Sequence, residues 1–480
     1  MVKMRMSVSD ICAVTGAHPY VIQGDDVVES VTLDSRQAAA HAAFVAFVGE
    51  KTNGNSYASA ALEAGSSLVV MTQEPGAQDI ACAREHGASL IRAKDDDGEA
   101  FMLALAAAWR QKNPQWRVVG VTGSVGKTTT KDMISCALGA RYKVHATKGN
   151  FNNLLGVPLT LLSCPEDAEL VVVEMGMNHA GEISRLTQVV HPHAAVITNI
   201  GTSHIGNLGS RENIARAKAE IVLGMQVDPE GMTPELVLSD HDDFTDFIQQ
   251  SFAAPKGVEV VRVGGCESPF AAQDIVLDES GCAHFTAVTP QGQVSVKLNV
   301  AGVHMVHDCL FALAIASHFG VDLSRAAEAL SHMSAATMRL EVKEAPGKPR
   351  IIDDSYNASP ASMAAALDVL ASMSCSGRRV AVLGEMGELG DESLRLHGYV
   401  GAYAAAKPLD LLAFIGHAEA AHMAEAARTM GFSEDKLEVF ASVEDALQAL
   451  AQVFVPEDLI LVKASRSGGL DAFAKGVFDR

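Results

Sequence analysis

"VVGVTGSVGKTTTKD", residues 118–132, sets a glycine-rich turn and Gly126-Lys127-Thr128 between an apolar run and a helical one. Strand, loop and helix in that order supply the parts of a phosphate-binding loop. Glycines let backbone N–H groups converge on an anion, and the helix N-terminus adds positive potential. Lys127 can reach the outer phosphates, and Thr128 offers a hydroxyl to Mg²⁺. The common pattern has glycine five residues before Gly126, where this chain has Val121; glycines stand at 120 and 123 instead. The expected nucleotide loop is Gly123, Ser124, Val125, Gly126, Lys127, Thr128 and Thr129. A dinucleotide fingerprint is absent, and "GEMGELG" (384–390) has the wrong glycine spacing for one, so it reads as a strand–helix turn.

Outward from this loop the chain divides into three. At 480 residues it exceeds what one core supports. In residues 1–112 short strands such as "SSLVVM" and "ASLIRA" alternate with alanine-rich helices, and "GEAFMLALAAAWRQK" stops at Asn113-Pro114. Residues 113–336 hold near-continuous apolar strands, "RVVGVTG", "ELVVVEMG" and "AAVITNIG", spaced by helices. That pattern predicts a parallel sheet covered on both faces. Alternation from residue 274 to 300, with turns at 279–281 and 290–292, predicts a small antiparallel meander. Residues 337–480 return to strand–helix alternation. The expected class is α/β: an N-terminal domain, a central parallel-sheet ATPase domain with its meander, and a C-terminal Rossmann-like domain.

A net charge of −21 excludes a broad basic face for nucleic acid. Any anionic ligand must therefore be held locally, by loop amides, a lysine or a metal ion. Eight scattered cysteines without a C-x-x-C pair point to a reduced, cytoplasmic protein. The apolar run near "FMLALAAAW" is far short of a membrane span. Ser7, Ser9 and Asp10 break the apolar stretch that a signal peptide would need.

Lys127, Glu174, His204, Asp354, Glu385 and Lys463 each fall at or just past the carboxyl end of an expected strand, the edge where open α/β sheets bind ligands. This clustering in two segments predicts a site between domains. Glu174, ending "LVVVEMG", suits Mg²⁺ as a hard oxygen ligand; a solvated strand-end acid is the plainer reading. His204 in "TNIGTSHIG" is weaker alone. In "SRENIARAKAEIVLGM", Lys218 borders the apolar stripe Ile214, Ala217 and Ile221. Helix spacing pairs Glu212–Arg216 and Arg216–Glu220 and leaves Lys218 without an obvious partner, although a bridge to Glu220 or Glu212 stays open. The loop "TKGNFNNLLGVP" offers Asn152 and Asn153 to a polar substrate. "IIDDSYNASP" (351–360) leaves a strand with a dense polar set, and "VKASRSGG" puts Lys463 and Arg466 beside two serines as a candidate anion clamp.

Taken together, these motifs resemble the Mur ligase family, whose loop G-x-T-G-x-x-G-K-T runs here from Gly120 to Thr128. That accounts for the shifted glycine. The similarity continues through "DSR" (34–36), "GNFNNLLGVPLTLL", "VEMGMNHAGEI", "TNIGTSHI", "RAKAEI", "DDSYNASPASM", "LGEMGELG" with His397, and "VKASRSG". "DDSYN" points to the members that add D-alanyl-D-alanine to UDP-N-acetylmuramoyl-tripeptide, the peptidoglycan precursor. The resemblance implies a first domain binding the UDP-substrate, a central ATPase and a third domain closing over the site. It implies Lys127 on the β/γ-phosphates, Thr128 and Glu174 on one Mg²⁺, and His204 with a carbamylated Lys218 on a second. Arg339 and Asp354 would lie near ATP, Asn357 and Ser465 near the incoming amine, and Ser35 and Arg36 near uridine. The implied reaction activates a carboxylate as an acyl phosphate, which the amine then attacks, in a cytoplasmic monomer.

Two segments depart from the family pattern. Where H-N-x-x-N is usual, an asparagine serving adenine, "GVHMVHDC" has Met305 and Asp308; where aspartate-glycine-histidine is common, it has "NGNSY" (53–57). Met305 offers adenine only apolar contact. Ionised Asp308 can accept from its amino group and would repel the carbonyl of guanine, so ATP should be preferred over GTP with Asp308 a main source. The competing role for Asp308 is to complement the helix dipole. The rival functions are another amino-acid ligase of the Mur and folylpolyglutamate synthase superfamily, or a regulatory NTPase.

Overall fold

The computed structural model describes residues 4–23, 27–49 and 52–479. Its centre is a six-stranded, all-parallel sheet built from strands Arg117–Thr122, Val144–Ala146, Leu170–Glu174, Ala194–Ile197, Glu235–Ser239 and Glu259–Val263. Arg117–Thr122 lies between Leu170–Glu174 and Ala194–Ile197, so three carboxyl ends open side by side. Both faces are covered. Val119, Val121, Leu170 and Val172 pack with Met133, Ile134 and Phe311, whereas Val118, Val171 and Val173 pack with Trp109, Trp116 and Ile183. Two-sided burial explains why these strands read as unbroken apolar runs rather than alternating ones.

The meander forms as expected: Ala271–Leu277, Cys282–Thr289 and Gly292–Ala301 make an antiparallel three-stranded sheet. The N-terminal sheet has five strands, four parallel, with His18–Val21 antiparallel at one edge. Helix Gly98–Lys112 then leads to Asn113, whose side chain donates to Trp109 O. A second six-stranded sheet occupies the C-terminal part, with Arg350–Asp354, Arg379–Gly384 and Leu459–Lys463 adjacent and parallel. Among the described residues no helix is long and apolar enough to cross a membrane.

One element departs from its expected course. The helix from Arg211 ends at Ala219 and continues as a 3-10 turn, Glu220–Gly224. Arg216 pairs with Glu212 at 2.7 Å as expected, but the expected Arg216–Glu220 pair does not form. Glu220 instead accepts from Gly181 N and Ser184 N at 2.8 and 2.9 Å. It caps the neighbouring helix Glu182–Val190, where a carboxylate answers both unpaired N–H groups and the helix dipole.

Candidate active site

The phosphate loop is braced by the stretch that follows strand Ala194–Ile197. Asn199 Oδ1 accepts from Val125 N at 3.0 Å, Thr198 Oγ1 donates to Val125 O at 2.6 Å, and Gly201 N donates to Ser124 Oγ at 2.8 Å. Gly123 has φ +149°, and a Cβ there would collide with Thr198 Oγ1. The glycine at 123 is therefore required by the brace, while the position five before Gly126 carries a buried strand residue, Val121. Lys127 Nζ donates to Gly123 O at 2.8 Å, and burial lowers its pKa. It folds back on its own loop and is the cation that the loop itself presents to the cavity.

Thr128 Oγ1 donates to Glu174 Oε2 at 2.9 Å, and Asn152 Nδ2 donates to Glu174 Oε1 at 2.8 Å. A hydroxyl and a carboxylate thus meet beside the loop, an oxygen donor pair that fits Mg²⁺. Asn153, by contrast, is used locally: its Oδ1 accepts from Gly156 N at 2.8 Å at the start of a helix. His204 faces the same cavity. Lys218 is not among the cavity's lining residues; it is 1% exposed, with its pKa held well below the ordinary value by burial and by the like charge of Lys127. No carboxylate counters it among the described residues, which closes the bridge to Glu220 or Glu212.

The opposite wall comes from the C-terminal sheet. Lys463 Nζ donates to Asp354 Oδ2 at 2.6 Å and to Asn357 O at 2.8 Å. Asp354 Oδ1 accepts from Leu340 N at 3.1 Å, and burial raises its pKa despite the lysine. The expected Lys463–Arg466 clamp does not form, because Lys463 is committed to Asp354 and Arg466 pairs with Asp471 at 3.2 Å. Arg339 stacks over Tyr356, its guanidinium carbon 4.2 Å from the ring centroid. Its neighbours Met338 and Leu340 have φ +58° and +51°, unusual backbone for bulky side chains and a sign that the surroundings fix this segment.

A cavity of about 310 Å³ unites these walls. It is lined by Ser124 through Thr129, Asn152, Asn153, Glu174, His204, Asp308, Arg339, Asp354 and Asn357. Other expected residues are not in its walls. Ser465 Oγ accepts from Gly387 N at 2.8 Å. Ser35 and Arg36 sit in a 3-10 turn of the N-terminal sheet, where Asp34 accepts from Arg36 Nε at 2.8 Å and Nη2 at 2.7 Å. In "NGNSY", Asn55 is buried and binds both the backbone and side chain of Thr72, so this departure from the family pattern is spent on holding the local fold. Tyr356, which also lines the cavity, stood inside a quoted motif without an assigned role. His304, another lining residue, is buried enough to push its pKa down to about 4.

Asp308 takes an unexpected form. It is 8% exposed, its Oδ1 accepts from Thr130 Oγ1 at 3.0 Å, and that oxygen lies 3.1 Å from where a Cβ on Gly126 would stand. Burial pushes its pKa up to about 7. Near neutrality the group is therefore partly the neutral acid, which can donate as well as accept, rather than the fixed carboxylate expected from sequence. A folded-state pKa above the unfolded value means the native state holds the extra proton. Stability is lost as pH rises from about 4 to about 7, by up to about 4 kcal/mol above that range. Asp308→Asn should raise the melting temperature more at pH 8 than at pH 5; equal shifts at both would show that Asp308 ionises normally.

Residues 121–316 match the Mur ligase middle domain, and residues 338–466 match the Mur ligase glutamate ligase domain. The UDP-N-acetylmuramoyl-tripeptide–D-alanyl-D-alanine ligase of Bacillus subtilis is 36% identical over 475 residues, 98% of each chain. A crystal structure of MurF from Acinetobacter baumannii superposes with a TM-score of 0.86 at 30% identity and full coverage of both chains. The Thermotoga maritima MurF structure in complex with ADP shares the fold, with a TM-score of 0.76 at 24% identity over 94% of this chain and 98% of that one. With its phosphate loop, its Thr128–Glu174 pair and these full-length relatives, the chain belongs to the Mur ligase family.

Proposed function

We propose that this chain is an ATP-dependent carbon–nitrogen ligase that joins D-alanyl-D-alanine to UDP-N-acetylmuramoyl-tripeptide in peptidoglycan precursor synthesis. The observation that carries the reading is the single cavity lined by the phosphate loop on one side and by Arg339, Asp354 and Asn357 on the other. The name of the Bacillus subtilis relative, matched over 98% of its length, supplies the substrates.

A carboxylate is a poor electrophile, so the tripeptide carboxyl must first be activated. Its oxygen attacks the γ-phosphorus of ATP, ADP leaves, and an acyl phosphate forms. The neutral amine of D-alanyl-D-alanine then adds to the acyl carbon, and the tetrahedral intermediate expels phosphate and gives up a proton as the amide forms. Lys127 follows the outer phosphates, and the braced amides of residues 123–128 hold them in line. Arg339, stacked on Tyr356, offers a second cation from the far wall, while Asn357, with Ser465 outside the cavity wall, would serve the amine. Exclusion of water as the two walls close on the substrates would limit hydrolysis of the acyl phosphate.

Thr128 and Glu174 would hold one Mg²⁺, and His204 with Lys218 as its carbamate would hold a second. Bound there, the ions neutralise phosphate charge and reduce repulsion between the two anionic reactants. Lys218 meets the requirement for carbamylation because burial favours its neutral amine, whose lone pair can attack CO2 with loss of a proton. The product would place an anion where no carboxylate stands beside the buried amine among the described residues.

Within this reading residues 1–112, 113–336 and 337–480 are the UDP-substrate, ATP and amine domains of a cytoplasmic monomer. Ser35 and Arg36 serve uridine, and Asn152 and Asn153 the peptide side. The test is phosphate release from ATP with UDP-N-acetylmuramoyl-tripeptide, with and without D-alanyl-D-alanine. Turnover that needs both is expected. Release without the amine would favour a regulatory NTPase, and a requirement for a different amine would favour a sister ligase.

A further inference from the structure

Strand Arg379–Gly384 runs into the turn 385–390, which touches the short helix Ile205–Leu208 of the central part. Gly206 N donates to Glu388 O at 3.2 Å. A Cβ on Gly206 would stand 2.8 Å from Gly390 N, and one on Gly390 would stand 2.8 Å from Gly206 Cα. The two backbones therefore meet directly, and neither position has room for a side chain. His204 and Glu388, at the edges of this contact, are both non-glycine residues at positive φ, +63° and +64°. Such backbone persists where the surroundings over-determine it, and it clusters at functional contacts.

Across the contact, Glu388 Oε2 lies 2.6 Å from His204 Nδ1, in ion-pair contact but not yet aligned as a hydrogen bond. Nδ1 is otherwise buried without a partner among the described residues. An imidazole with its Nδ1–H turned to a carboxylate keeps the Nε2 lone pair for a cation, and such a partner fixes both tautomer and ring orientation. Glu388 cannot act for the C-terminal sheet alone, because the atom it serves belongs to the central domain.

Resting on the reading of His204 as a cation ligand, we infer that Glu388 is a positioning residue. Docking of the 385–390 turn on residues 204–208 sets His204 in the Nδ1–H form and thereby couples closure of the C-terminal domain to completion of the cation site. A partner of this kind typically controls metal affinity by about 10- to 100-fold.

The experiment compares Glu388→Ala, Glu388→Gln, His204→Ala and the double variant. Half-saturating Mg²⁺ should rise about tenfold or more in Glu388→Ala. It should rise less in Glu388→Gln, whose amide oxygen can still accept from Nδ1–H, and no further in the double variant than in His204→Ala. A second readout needs no metal and no turnover. In nucleotide-free protein with ¹⁵N-histidine, the resonance assigned by its loss in His204→Ala should report Nδ1–H in the parent and change tautomer balance in Glu388→Ala. If His204→Ala shifts the Mg²⁺ requirement while Glu388→Ala moves neither readout, the inference fails and the ligand assignment stands. Should His204→Ala itself leave the Mg²⁺ requirement unchanged, the ligand assignment fails, and with it the coupling. A tautomer change in Glu388→Ala would then leave only a local contact between the two residues.

Discussion

Lys127→Ala is expected to lower kcat/KM for ligation by about 10²–10³-fold or more, with the fold intact. The lysine Nζ now spans only the carbonyl of Gly123, at 2.8 Å, and near it that of Ser124, at 3.4 Å. Phosphate oxygens would exchange a weak neutral partner for a charge-assisted one, and the attraction grows as charge develops on the transferring phosphoryl group. Stability should change little by comparison. Its ammonium is already penalised by burial, and the loop itself is held by Thr198 and Asn199 rather than by the lysine. A matching melting curve with ligation reduced to background would fit this assignment. Near-normal turnover would remove the loop from the chemistry.

The second large effect is expected at Lys218. Lys218→Ala should reduce ligation by about 10²-fold or more if its carbamate is the anionic ligand, because loss of a charge-bearing group at the reacting phosphates costs on that scale. The parent enzyme should also lose activity in bicarbonate-free buffer and regain it on adding bicarbonate. Supplying ¹³C-bicarbonate should give a carbamate resonance that Lys218→Ala abolishes. An unmodified ammonium is hard to reconcile with this site, for it is 1% exposed and faces the like charge of Lys127. Removing an unpaired buried charge would then stabilise the fold. Lys218→Met with a raised melting temperature, unchanged activity and no carbamate resonance would overturn the assignment.

Much of this molecule was legible along the chain because the relevant physics is local. Two-sided burial leaves unbroken apolar strands, a solvent-facing meander leaves alternation, and a phosphate loop leaves glycines between the two. Glu174 and Asp354, which end strands, could be picked out for the same reason, whereas Lys127 opens the helix after the loop and His204 lies beyond its strand, at the start of helix Ile205–Leu208. Parallel strands align their carboxyl ends, so position along a strand already says which edge a residue occupies. The family motifs added roles that periodicity could not.

Partnership was decided only in three dimensions. Thr128 meets Glu174 because the sheet order places Arg117–Thr122 against Leu170–Glu174. Lys463 belongs to Asp354 rather than to an anion clamp with Arg466, since strand Arg350–Asp354 lies beside Leu459–Lys463. Glu220 answers the open N–H groups of Gly181 and Ser184, and the single helix expected around Lys218 breaks there. His204 and Glu388 meet across two sheets, and Asp308 owes its raised pKa to burial against the first turn of the helix from Lys127. In each case the residue type follows from local chemistry, whereas its charge state and partner depend on desolvation and on atoms brought in from distant segments. The sequence by itself determined the strand–helix framework and the edge that carries the chemistry; the packing of sheet against sheet decided which groups are paired, which are buried alone and which titrate near neutrality.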